Sequence, residues 1–225
     1  MRFPSRRTAA LLVPVLLSAC LFGGPDTPPR RPSARAPAAA VIPSERQTQA
    51  CLADLSGAGA TFNRLDDRDF GGGCVVAGAV QLTDIGVPVN GLKSIRCPTA
   101  RAFVGWVRHG VGPAARQILG SDVVRIESYG TYACRGIVGG GSRASGRLSE
   151  HAYANAVDVG GFVLADGRRI SVEGGWNGDD AAVREFLRIV HRSGCRRFAT
   201  TLGPDYNAAH RNHFHFDMGR GPFCR

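Results

Sequence analysis

Two short stretches carry residue types that can ligate a metal. Ser149-Glu150-His151-Ala152-Tyr153-Ala154-Asn155-Ala156-Val157-Asp158 sets a histidine seven residues before an aspartate, and His213-Phe214-His215 follows near the end of the chain. A catalytic zinc ion takes three nitrogen, thiolate or carboxylate ligands and keeps a fourth position open for water. Two imidazoles and one carboxylate meet that count. The alternation over residues 212–217 predicts a strand that turns His213, His215 and Asp217 to one face and Phe214 and Phe216 to the other. One histidine of the pair then reaches a metal while its neighbour faces a substrate. Six histidines occur in all (His109, His151, His191, His210, His213 and His215), three of them between residues 210 and 215. A dense histidine tract also binds metal adventitiously, and spacing alone leaves both readings open.

The elements that must position these residues are legible as patterns. Residues 98–119 carry Ala102, Phe103, Trp106, Val107, Ala115 and Ile118, which predicts helices on either side of a break at Gly110-Val111-Gly112-Pro113. Val123 to Ile126 predicts a strand running into a loop from Tyr129 to Arg135. Asn155 to Val163 predicts a strand that contains Asp158, with Arg169 to Val172 as its hairpin partner across Asp166-Gly167. Residues 180–193 predict an amphipathic helix through Val183, Phe186, Leu187, Ile189 and Val190, and Phe198 to Leu202 and Phe214 to Met218 predict two more strands. Strands and helices do not alternate strictly, so the expected class is α+β, a mainly antiparallel sheet with flanking helices. Gly71-Gly72-Gly73 and Gly139-Gly140-Gly141 lack the Lys-Ser/Thr of a phosphate loop and read as flexible loops, the second as a flap beside the cleft.

The stretch Ser149 to Asp158 resembles the Ser-x-His-x-x-Gly-x-Ala-x-Asp signature of zinc D-Ala-D-Ala carboxypeptidases and murein endopeptidases, whose metal fold is shared with the hedgehog signalling domain. His213-Phe214-His215 resembles the second half of that signature. The phrases Ser128 to Arg135, Ser149 to Phe162 and Leu202 to Gly219 are similar to the bacterial extensin-like C-terminal domain family over residues 47–225. The resemblance implies a hedgehog/DD-peptidase-like fold and a Zn2+ cofactor held by His151, Asp158 and His215. His213 is then the general base, or the donor to a developing oxyanion, and Arg135 binds a peptide carboxylate. Asp217 would orient an imidazole, His210 would sit at the rim, and Ser149 and Glu150 would shape the ligand loop. The implied activity is hydrolysis of peptidoglycan stem peptides or their cross-links, with carboxypeptidase and endopeptidase both open.

Two departures from the signature bear on this. Ala154 stands where the signature has glycine, so a positive φ there would cost about 1 kcal/mol or more. Asn212 stands where some of the carboxypeptidases carry a glutamate base, and the chain resembles the endopeptidase-like branch instead. Rival classes are a wall-binding module that keeps zinc without turnover and a structural envelope lipoprotein that binds metal incidentally.

The rest of the chain agrees with an extracytoplasmic setting. Residues 1–19 combine Arg2, Arg6 and Arg7 with an apolar run from Ala9 to Leu17, a run about half the ~20 residues that span a bilayer. Leu17-Ser18-Ala19-Cys20 resembles a lipobox, which implies a lipidated Cys20 and a periplasmic, membrane-anchored protein. Leu21 lacks the aspartate associated with inner-membrane retention, so the outer membrane is the expected site. Residues 20–46 are rich in Pro, Ala and Arg and read as a tether of 27 residues, able to reach ~80 Å at ~3.1 Å per residue. Residues 47–225 form the single expected domain. Beyond Cys20 six cysteines remain, enough for three disulfides in an oxidising compartment. Their connectivity does not follow from spacing, although Cys195 with Cys224 would brace the terminal strand. The net charge is +10; without the three leader arginines and the tether's four arginines and two acids, +5 stays on the domain. No compact basic cluster with stacking aromatics accompanies it, which argues against a nucleic-acid partner and suits an anionic wall polymer or simply a solvated face.

Overall fold

The computed structural model describes residues 42–139, 141–144 and 146–225. The leader, Cys20 and the tether up to residue 41 lie outside the described residues.

Ser44 opens the first helix, α1 (Glu45–Gly57), with a reciprocal cap: its side chain accepts from Gln47 N while the Gln47 side chain accepts from Ser44 N. Six short strands follow: β1 (Thr61–Arg64), β2 (Arg68–Asp69), β3 (Val75–Val76), β4 (Ala79–Asp84), β5 (Val89–Asn90) and β6 (Ile95–Arg96). Strands β1, β4 and β6 form an antiparallel three-stranded sheet, and β2 pairs with β3.

The next helical stretch corrects an expectation. Helix α2 (Cys97–Trp106) does not stop at the Gly-Val-Gly-Pro sequence; it continues through a π-wound segment (Val107–Val111), α3 (Gly112–Ala114) and a second π-wound segment (Ala115–Leu119). Pro113 has no N–H to give, and the preceding wide turn lets Gly112 N donate five residues back to Val107 O. Gly110 is there for packing rather than breaking, because a Cβ on it would lie 2.4 Å from Ser193 Oγ on a neighbouring helix.

Strand β7 (Val123–Gly130) is longer than predicted and reaches Tyr129. Then come β8 (Ala156–Leu164), β9 (Arg169–Ser171), α4 (Val172–Gly175), α5 (Ala181–Cys195), β10 (Thr200–Leu202), β11 (Phe214–Asp217) and β12 (Phe223–Cys224). The main sheet has seven strands, β12-β10-β11-β8-β7-β5, with β9 also paired to β8. The class is α+β. The interior pairs are antiparallel as expected, whereas β5 with β7 and β10 with β12 are parallel, so the sheet is mixed at its edges.

Helix α5 begins at Asp180, whose side chain accepts from Ala182 N and Val183 N. Its apolar stripe buries Phe186, Leu187 and Val190 against the same core as Trp106, Phe162, Phe214 and Phe216. Each fully buried side chain of this size contributes roughly 1.5–3 kcal/mol. Trp106 Nε1 donates to Val190 O at 2.8 Å, and its ring lies 4.8 Å from that of Phe216. Three disulfides tie the chain: Cys51–Cys97 joins α1 to α2, Cys74–Cys134 anchors the loop after β7, and the expected Cys195–Cys224 pair joins α5 to β12.

Candidate metal centre

Strand register brings the first two candidate ligands together. In the β8–β11 ladder His215 stands directly opposite Asp158, flanked by the pairs Phe216–Val157 and Phe214–Val159. Those four apolar side chains are fully buried, so alternation turns Asp158 and His215 to the opposite face. His151 arrives from a 3₁₀ turn (Glu150–Tyr153) whose first N–H groups are met by Ser149: Ser149 Oγ accepts from His151 N. Ala154 then reverses the chain into β8 at φ 50, the one non-glycine residue with positive φ among the described residues. Glu150 Oε2 accepts from Asn155 Nδ2 at 2.7 Å, so Ser149 and Glu150 both brace this loop.

The three side chains converge on one buried point. His151 Nε2 lies 3.1 Å from Asp158 Oδ2 and 3.2 Å from His215 Nδ1, and His215 Nδ1 lies 2.9 Å from Asp158 Oδ1. One donor atom from each falls within 4.8 Å of the others. Outer contacts set the orientation of both rings. His151 Nδ1 donates to Thr131 O at 3.1 Å, and His215 Nε2 donates to Asp217 Oδ2 at 3.0 Å. With those nitrogens carrying the protons, His151 Nε2 and His215 Nδ1 turn lone pairs inward beside the carboxylate. Such a set repels itself unless a cation or a proton is shared within it. The donor chemistry therefore fits a zinc ion, with the second-layer acceptors that such sites use.

Charges in the cluster follow from the same geometry. Burial works against the Asp158 carboxylate, but hydrogen bonds from His151 and His215 outweigh it and hold its pKa well below the usual range. Burial likewise opposes the His215 imidazolium, yet Asp158 and Asp217 on its two nitrogens push it up to about 9. In the metal-free protein that proton does part of a cation's work.

His213 precedes β11 and points its Nε2 at Asp158 Oδ1 from 3.6 Å, while its Nδ1 donates to Asn212 Oδ1 at 2.8 Å. Burial lowers its pKa against the pull of Asp158, with His215, His151 and Arg135 adding to the drop. His210 is half-buried, its ring 5.2 Å from that of His213 and 5.7 Å from that of His215. Burial, then the charges of His215 and His213, bring it down to about 4. Arg135 is exposed on the loop that Cys74–Cys134 anchors, and its charge is felt by both His210 and His213. Gly139 O accepts from Asn207 Nδ2 at 3.2 Å, in the turn that leads to His210.

A second cluster, His191 with Cys195 and Cys224, has no thiolate to offer, since the two sulfurs form a disulfide. Two further contributors lie within the Ser128 to Arg135 phrase: the Thr131 carbonyl, invisible to residue type, and Tyr129, whose ring meets that of His213 edge-on at 5.9 Å. An exposed aromatic at the predicted strand-to-loop junction was the available signal for Tyr129.

These features define an α+β domain whose central sheet holds a buried His-Asp-His donor set beside a further imidazole. The chain belongs to the family described as extensin-like protein C-terminus, which matches residues 49–225. No curated protein and no solved structure matches it.

Proposed function

We propose that this protein is a zinc-dependent peptidase that hydrolyses peptidoglycan stem peptides or their cross-links in the periplasm, anchored to the membrane, the outer one in preference to the inner, by a lipidated Cys20. The observation that carries the reading is the convergence of two imidazole nitrogens and one carboxylate on one buried point, with the His213 ring beside them. The likeness of Ser149 to Asp158 and His213 to His215 to the zinc carboxypeptidase and endopeptidase signature supports it, together with the hedgehog-type fold that likeness implies. His151 Nε2, Asp158 and His215 Nδ1 would hold the metal. Bound zinc supplies Lewis acidity: it polarises a carbonyl and brings the pKa of a water towards ~7. His213 Nε2 is the atom to take a proton from the attacking water, since its lowered pKa keeps it free at neutral pH. Arg135 can receive a substrate carboxylate through two parallel N–H donors. Asp217 and the Thr131 carbonyl keep the two ligand rings in their tautomers.

Mass spectrometry of purified peptidoglycan incubated with the protein tests this, with zinc present, with chelator, and with His213→Ala. Chelator-sensitive release of D-alanine or loss of cross-linked dimers, absent in His213→Ala, is the expected result. One bound zinc per chain with intact peptidoglycan would turn the reading to a wall-binding module.

A further inference from the structure

Tyr129 is 61% exposed although it lies in strand β7 beside the centre. Its orientation is set by the backbone. Register between β7 and β8 shifts on both sides of Ser128, from Glu127↔Gly161 to Ser128↔Val159 and then to Gly130↔Asp158. Tyr129 and Gly160 are the residues skipped around Ser128, one on each strand. Bulges of this kind re-aim side chains next to active sites. The Tyr129 ring then lies on Gly160, with Cζ 2.4 Å and Oη 2.6 Å from where a Cβ would stand, so no other residue leaves room for it. On its other side it meets the His213 ring edge-on at 5.9 Å. A tyrosine held this way loses little further freedom on binding and presents an apolar face with a polar tip. Gly130, at φ 118, bends the chain away immediately after it into the loop that carries Thr131 and Arg135.

We infer that Tyr129 contacts substrate, its ring forming the wall of a subsite beside His213 against which a peptide unit of the substrate packs; this rests on the peptidase reading and names a recognition residue within it. Gly160 is the seat that keeps the wall in place.

Calorimetry tests it with the zinc-loaded protein in a His213→Ala background and purified pentapeptide muropeptide or its cross-linked dimer as probe. Steady-state cleavage of the same probes is followed in the His213 background, with zinc content and thermal midpoint recorded for every variant. Tyr129→Ala is expected to weaken binding and raise KM about five- to tenfold, with kcat changed less and one zinc still bound. Tyr129→Phe should stay near wild type, and Gly160→Ala, which displaces the ring, should repeat the loss. Unchanged Kd and KM in Tyr129→Ala would overturn the inference and leave the peptidase reading standing. Loss of zinc or of folding in Tyr129→Ala would also overturn it, by making the residue structural. A parent that neither binds nor cleaves either muropeptide would overturn both.

Discussion

Asp158 and His215 depend on each other more than on the solvent. Each is buried, and each has the other, together with His151 or Asp217, within hydrogen-bonding distance. Removing one member leaves an uncompensated buried group, so His151→Ala or Asp158→Ala should abolish stoichiometric zinc. Asp217→Asn should keep the fold and the ligands but weaken zinc affinity about 10–100-fold, because a neutral acceptor orients His215 less well. Competition with a chromophoric chelator measures both effects. Ala154 is a separate case at the same scale. Its left-handed backbone costs about 1–2 kcal/mol for a residue with a Cβ, while its methyl is fully buried near Val76 and Ala79 and contributes about 0.8 kcal/mol. Strain relief exceeds the lost methyl, so Ala154→Gly should stabilise the protein by less than about 1 kcal/mol, read from chemical denaturation.

Helix α5 and strand β11 make up the element pair that holds the site from behind. They approach closely enough that a Cβ on Gly194 would lie 2.4 Å from Phe216, and Cys195–Cys224 ties the end of α5 to β12. His191 faces the same seam, with ring contacts to Trp176 and Phe214 and its Nε2 3.2 Å from Arg225 O. Burial lowers its pKa from the ordinary 6.5, with the Arg225 carbonyl opposing and Arg188 and Arg192 repelling the charged form. The unfolded chain therefore takes up this proton first as pH falls. The stability His191 contributes is present above pH 6.5 and is lost as pH drops through 6.5 towards its lower folded value. His191→Gln should reduce stability at pH 7.5 and flatten the loss between pH 7.5 and 5, measured by urea melts across that range.

At the scale of the whole molecule the centre ties together parts far apart in the chain. Thr131, His151, Asp158, His215 and Asp217 join the loop after β7, a 3₁₀ turn and two strands of one sheet. A metal that binds only this assembled state stabilises it by mass action, about 4 kcal/mol at a free concentration 1,000 times Kd. For a domain of this size the thermal midpoint should rise by about 8–16 °C on zinc loading and fall back with chelator, seen by differential scanning calorimetry.

Residue type and period two in 212–217 were enough to separate Phe214 and Phe216 from His215 and Asp217, because a half-buried strand sorts its side chains by alternation alone. The His151 to Asp158 spacing was legible for the same local reason, as a turn leading into a strand. The cysteine count announced a cross-linked domain, and of the three pairings the Cys195–Cys224 bridge was anticipated from what it would brace. The Gly110 to Pro113 sequence misled, since glycine and proline punctuate a helix only when no neighbour fills the gap, and here Ser193 does. Only the tertiary structure could set Asp158 opposite His215, choose the inward nitrogen of each ring, and seat Tyr129 on Gly160. Those outcomes depend on register between strands and on backbone carbonyls such as that of Thr131, and neither is encoded by the identity or spacing of any single residue.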